Sequence, residues 1–222
     1  MATPLQDDGL NVGRAKARRL MNKAGVAVQR PRRRGPMTTD SRHGDEVAPN
    51  LLARQFDVTA PDQVWAGDST DIWTAEGWLS LSVLVDLYSR NVGGWAMNHH
   101  RDTTLVQDAL HMALGRRAPC AGLMHHSDRG SQYASHAYQV TLANHGIVWS
   151  MSEQGECLDN AVAERCFGSL TREWTSHGYY ATRQEARDDI IEYIEMFYTS
   201  RRKHSSLGYV RPKTYEQFAL VA

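Results

Sequence analysis

The chain has 222 residues, 41% of them hydrophobic, with 25 Lys and Arg balanced against 25 Asp and Glu. That length can bury one full core and carry an appendage. No apolar run approaches the roughly 20 residues of a membrane span, and the opening MATPLQDDGLNVGRAK has no apolar stretch of the kind a secretory signal needs. Cys120, Cys157 and Cys166 are odd in number and far apart. They suit a reducing cytosol better than a disulfide framework, and with no C-x₂-C pair and no Cys partners at zinc spacing for His99-His100 or His125-His126 the pattern speaks against a structural zinc.

The neutral total hides an asymmetry. Residues 1–36 hold nine Lys and Arg against two Asp, a charge of +7, which leaves 16 basic and 23 acidic residues, a charge of −7, for the remainder. A basic arm ahead of an acidic core suggests nucleic acid held by the one and metal by the other. In the arm, Leu10 to Gly25 reads as a basic helix ended by Gly25. Residues 37–61 read as a linker after the cluster Arg30-Pro31-Arg32-Arg33-Arg34, whose Arg32, Arg33 and Arg34 are candidate phosphate contacts.

From residue 62 onward the pattern is that of a mixed α/β sheet. Val64 to Thr74, Trp78 to Tyr88 and Asn91 to Met97 read as three strands of an antiparallel meander, with a turn at Glu76-Gly77. Asp68 and Asp71 differ in parity and therefore face opposite sides. Thr103 is the expected cap of a helix that ends near Gly115. The run Leu123 to Ser127 reads as a strand that presents Asp128 beyond the sheet edge, since Gly130 follows at once. A helix from Ser135 to Gly146 and a strand over Ile147 to Met151 come next. Asp159 is the expected N-cap of an amphipathic helix to about Trp174, with Glu164 beside its apolar face. Residues 182 to 200 form another helix, ending in the basic, aromatic segment Tyr198 to Tyr209, and Pro212 to Phe218 is expected to pack back on the core. Trp65, Trp78, Trp95 and Trp149 are expected in the core.

Asp128 and Glu164 are separated by 35 residues. A strand-end Asp and a helix Glu can converge, and paired carboxylates hold hard cations such as Mg²⁺ while leaving positions for water and phosphate. A third carboxylate would come from Asp68 or Asp71.

WAGDSTDIW, HHSDRGSQY, DNAVAERCFGSL and the basic SRRKHSSLGY, in this order, resemble the DDE transposases of bacterial insertion sequences. The likeness is closest to the downstream-frame (OrfB-type) product of the insertion-sequence-three family, and it covers about residues 50 to 218. The resemblance implies a ribonuclease H-like, retroviral-integrase-type fold over 62–222, preceded by a partial helix-turn-helix arm over 1–36. It selects Asp68 over Asp71, so that Asp68, Asp128 and Glu164 become the metal-holding catalytic triad. Asp68 would bridge two Mg²⁺ ions, which Mn²⁺ could replace, Asp128 would complete one and Glu164 the other. Asp86 is left outside the triad, as an acid that supports the metal ligands or the strand end.

The implied activity is metal-dependent cleavage and strand transfer at the ends of an insertion sequence. A nuclease of the same fold and a catalytically silent DNA-binding remnant are the alternatives. Implied partners are element ends and target DNA, further copies of the chain on DNA, and an upstream-frame (OrfA-type) protein, in a prokaryotic cytoplasm at the nucleoid and away from membranes. Gln132, in the segment Gly130 to Tyr133, and Asn160, Arg172, Arg201, Arg202, Lys203 and His204 are further candidate DNA contacts. Two positions depart from the family pattern: Thr171 stands where relatives often carry Lys, and Thr199 where they carry Asn.

Overall fold

The structure is a computed structural model that describes residues 6, 9–26, 43–175 and 178–219. The chain divides into two compact units, Met1–Pro36 and Met37–Ala222. In the first, helix α1 spans Arg14–Lys23. It is shorter than the expected Leu10 to Gly25, because Gly13 is still extended and Gly25 takes φ +67°, which ends the helix. Arg32, Arg33 and Arg34 lie outside the described residues.

The second unit is built on one five-stranded sheet in the order β3-β2-β1-β4-β5. Strands β1 (Val64–Thr74), β2 (Gly77–Asp86) and β3 (Val92–Asn98) form the meander, and β4 (Met124–Ser127) and β5 (Val148–Met151) join parallel to β1. The central strand β1 carries Val, Trp, Ile and Thr, which suit a pleated, half-covered surface. Its register with β2 runs from Trp65↔Asp86 through Asp68↔Val83 to Thr74↔Gly77, so Asp68 and Asp71 do face opposite sides.

Helices cover both faces. On one, α2 (Thr103–Arg117), the short α3 (Ser131–Ala134) and α4 (His136–Asn144) pack around Trp65, Leu84, Val106, Leu110, Tyr133, Tyr138 and Leu142. At Gly94 a Cβ would lie 2.3 Å from the Ala109 carbonyl, so α2 approaches β3 only over a glycine. On the other face, α5 (Ala161–Glu173), α6 (Arg183–Ile191) and its π-helical continuation Glu192–Tyr198 enclose Ile72, Leu79, Leu81, Val83, Phe167, Ile190 and Ile194. The last helix, α7 (Pro212–Ala219), returns to the core, where Tyr215 meets Tyr88 and Glu216 accepts hydrogen bonds from Asn91 and Arg117.

Several details differ from the sequence reading. Asp102, not Thr103, caps α2, its carboxylate accepting the Leu105 N–H at 3.0 Å, and the helix runs past Gly115 to Arg117. Asp159 does not cap α5, because a 3-10 turn over Cys157–Asn160 precedes that helix. Its buried carboxylate instead gathers Asn50, Arg54 and the Glu153 N–H. That contact draws in the tract read as linker: Ala48 and Leu52 are buried, and the Leu51 N–H reaches Ser150 Oγ at 3.0 Å. Of the four tryptophans expected in the core, Trp65 is buried and Trp95 and Trp149 are partly buried, but Trp78 is 54% exposed and stacks edge-on against Trp73, itself 56% exposed. No helix among the described residues is long and apolar enough to cross a membrane.

Candidate active site

The parallel pairing of β1 with β4 runs Val64↔Met124, Trp65↔His125, Ala66↔His126, a constant offset of sixty. Carried two residues on, that register sets Asp68 abreast of Asp128, where β4 has ended and β1 continues beside β2 alone. Crevices of this kind, beyond the carboxyl ends of parallel strands, are where open α/β sheets present their chemistry.

Each aspartate has one oxygen fixed by nearby backbone. Asp68 Oδ1 accepts the Ser69 N–H at 2.7 Å, and Asp128 Oδ1 accepts the Gly130 N–H at 3.0 Å.

The third acid arrives on α5. Asn160, immediately before that helix, donates its Nδ2 to the carbonyl of Gly67 at 3.0 Å, so the helix start is clamped to the residue preceding Asp68. Glu164 follows four residues later, one turn along and on the same side. All three acids are half-buried.

Their proximity is felt electrostatically. Burial, then the charge on Asp128, and to a lesser degree that on Glu164, push the Asp68 carboxyl up to about 8, against the opposing pull of the Ser69 amide and Arg101. Among the described residues, no three His, Cys, Asp or Glu side chains stand close enough to form a ready-made metal cage.

Asp71 is separate from this group. It accepts the Ser80 hydroxyl at 2.6 Å and pairs with Arg101 at 3.6 Å on the opposite face. Asp86 is structural: buried, it accepts from the Asp62 N–H and from both the N–H and hydroxyl of Ser89, tying off the β2–β3 turn. Arg101 was not singled out from the sequence. It donates to the Ser69 carbonyl at 2.8 Å, and a lone loop arginine carries no signal that would have marked it.

The remaining candidates are scattered in exposure. Arg172 and Arg201 are exposed and Lys203 is half-buried. Arg202 is fork-bonded to Glu173 through two contacts of 2.7 Å and lies over the Tyr198 ring. His204 is buried edge-on against Tyr198, where burial and then the Arg202 charge hold its pKa near 4, so it is neutral. The Gly130 to Tyr133 segment turns inward instead of toward solvent: Gln132 is 8% exposed and Tyr133 fully buried.

Comparison with known proteins agrees with this architecture. The integrase core domain family matches residues 58–157, and a second integrase core domain family matches residues 145–212. The chain is 42% identical over 217 residues to the insertion element IS600 uncharacterized 31 kDa protein of Shigella sonnei, covering 98% of this chain and 79% of that one. It is 39% identical over 196 residues to the transposase InsF for insertion sequence IS3A of Escherichia coli, covering 88% and 68%. The fold is shared with the HTLV-2 integrase catalytic core domain, solved in complex with magnesium, at a TM-score of 0.53 and 16% identity over 71% of this chain and 97% of that one. The chain belongs to the insertion-sequence-three family of transposases and carries its integrase core on a ribonuclease H-like fold.

Proposed function

We propose that this transposase cuts and joins DNA at Asp68, Asp128 and Glu164, using divalent metal held between them. The observation that supports this most is the register that sets Asp68 abreast of Asp128 where β1 and β4 part, with the start of the helix of Glu164 clamped to Gly67 by Asn160. The donor set fits Mg²⁺: three carboxylates offer hard oxygen ligands, and a bound cation would offset the burial and then the carboxylate repulsion that raise the Asp68 pKa. Two Mg²⁺ ions, or Mn²⁺ in their place, would stabilise the developing charge on the attacking and leaving oxygens of an in-line displacement at phosphorus.

The chain's own residues supply placement. Asp68, Asp128 and Glu164 would hold the metal, and backbone N–H groups hold one oxygen of each aspartate in a fixed direction. No side-chain nucleophile is needed, because water or a DNA 3′-hydroxyl attacks. Arg172 and Arg201, both exposed, are assigned to the DNA backbone, with the arginines of the basic arm as further contacts. Element ends and target DNA are the substrates, several copies acting on them together, with an upstream-frame protein as a further partner.

The test is a strand-transfer assay on labelled element ends with Mg²⁺ or Mn²⁺, with Asp128→Asn as control. Joined strands in the wild type alone support the transposase reading. Nicks without joining assign a nuclease, and a mobility shift without chemistry assigns a silent DNA-binding remnant.

A further inference from the structure

We propose that Tyr133 is a positioning residue for the metal site, its buried hydroxyl setting the spacing between Asp68 and Asp128 through hydrogen bonds to Ser69 and Ser82. This rests on the metal-site reading above and adds a residue to it. Tyr133 lies on α3, five residues after Asp128, and its ring is wholly buried. Its hydroxyl stands 3.1 Å from Ser69 Oγ and 3.4 Å from Ser82 Oγ. These two serines face each other across β1 and β2, on the side of the sheet opposite Asp68. Ser82 Oγ in turn donates to the Asp68 carbonyl at 3.5 Å, and the Ser69 N–H holds Asp68 Oδ1. Tyr133 therefore grips the Asp68 backbone from behind.

The other end of this linkage reaches Asp128. The Tyr133 N–H donates to the Gly130 carbonyl at 2.9 Å, and the Gly130 N–H holds Asp128 Oδ1. One hydrogen-bonded path thus joins the two aspartates, although they lie on different strands.

The linkage has little slack. Tyr133 packs edge-on against Tyr138 and tilts toward His125, whose Nε2 is 3.1 Å from the Tyr138 hydroxyl. A Cβ at Gly67 would lie 2.6 Å from that same Nε2 and 3.5 Å from the Tyr133 ring, so β1 is pressed directly onto this cluster. Burial pushes the Tyr133 phenol far above its usual range, which keeps the hydroxyl protonated and able to both donate and accept. Removing the hydroxyl alone keeps the ring and the packing, whereas ligand spacing in metal sites is sensitive to a few tenths of an ångström.

The experiment is a Mn²⁺ titration of the full chain followed by electron paramagnetic resonance, with thermal melting measured alongside. Tyr133→Phe is expected to weaken Mn²⁺ binding about 10-fold. Ser69→Ala should do the same, and the double variant should be no worse than the weaker single, since both break one linkage. Ile190→Val, in the apolar core on the other face, should lower the melting temperature and leave Mn²⁺ affinity unchanged. Asp128→Asn should abolish binding. If it does, and Tyr133→Phe binds within about twofold of wild type, the positioning role is overturned and the metal site stands. An Ile190→Val variant that loses affinity as Tyr133→Phe does would also overturn it, because general loosening would then be the cause. Equal binding by wild type and Asp128→Asn would overturn the metal site itself, and the role of Tyr133 with it.

Discussion

On one face of β2, Leu79, Leu81, Val83 and Val85 meet the helices α5 and α6; on the other, Ser80, Ser82, Leu84 and Asp86 meet α2, α3 and the β2–β3 turn. Every one of these side chains is buried. The apolar face stabilises by area, each large side chain contributing about 1.5–3 kcal/mol whatever its exact direction. The polar face contributes about 1 kcal/mol per hydrogen bond, but each bond fixes a direction. One face therefore holds the sheet together, and the other dictates where β1 stands relative to its neighbours. The aspartates at the β1–β4 seam depend on that second property.

The largest effect is expected at the seam itself. Asp128→Asn keeps size and shape at a half-buried position and removes a charge that repels Asp68, so the melting temperature should not fall. Loss of a metal-holding carboxylate should nevertheless cost several kcal/mol of barrier, on the order of 10³-fold or more in strand-cleavage rate. A single-turnover assay on element ends checks this, and a variant within about tenfold of wild type would remove Asp128 from the chemistry. Leu79→Ala should give the reverse signature on the apolar face. Leu79 is fully buried in that core, and truncation should cost about 2–5 kcal/mol in a urea or thermal melt. Activity per folded molecule should be kept below the melting transition.

Asp68 belongs to both regimes, because its carboxyl shares the apolar face with Val83. Its folded pKa of about 8, raised by burial and then by Asp128, stands against 3.8 for an ordinary aspartate. The folded state thus binds the extra proton between those values. The stability this group contributes is full below about pH 4 and is lost as pH rises through about 8. Buried His125, His126 and His204 run the opposite way. Burial depresses them to about 3, 4 and 4 from 6.5, so their contribution is present above pH 6.5 and lost as pH falls through those values. With metal chelated, Asp68→Asn should raise the melting temperature by several degrees near about pH 8 and by less near about pH 5.5. Saturating Mg²⁺ should narrow the difference by stabilising the wild type alone. A pH-independent difference would mean that the carboxyl is not destabilised by its surroundings.

Sequence carried the strand β1 to the residue, because its β-branched and aromatic alternation is long and sharply bounded. It also carried the order of the three acids. What it missed depends on which element lies behind another. Tyr133 sits in a Gly-Ser-Gln-Tyr run that reads as a turn, and the Ser69 and Ser82 hydroxyls and the Tyr138 ring behind it explain why it turns inward. Asp159 and Asn160 are both good capping residues. The 3-10 turn moves the helix start past Asp159, which turns to Arg54, and sets Asn160 at the N-cap position with its side chain given to the Gly67 carbonyl instead of to the helix. The stretch at 48–52 looked like linker because the polar tract around it hides two apolar anchors, Ala48 and Leu52.

The smallest expected effect lies one residue from one of the largest. Trp78 and Trp73 form a directly opposed pair at the hairpin end, on the same side of the sheet as Ser80 and Ser82. On the apolar side of this end, Tyr180 bridges to Thr74 and α6 packs over β1 and β2. On the tryptophan side both residues are more than half exposed. An aromatic residue in a strand looks like core from the sequence because alternation reports which face it is on and not how far that face is covered. The rings are 4.8 Å apart at 73°, an edge-on pairing worth about 0.5–1.5 kcal/mol beyond buried area. Trp78→Thr keeps strand propensity and removes that contact, so it should cost about 1 kcal/mol, well under the loss at neighbouring Leu79. Chemical denaturation of the two variants side by side measures the contrast. A Trp78→Thr loss as large as that of Leu79→Ala would mean that the hairpin end is covered on both faces.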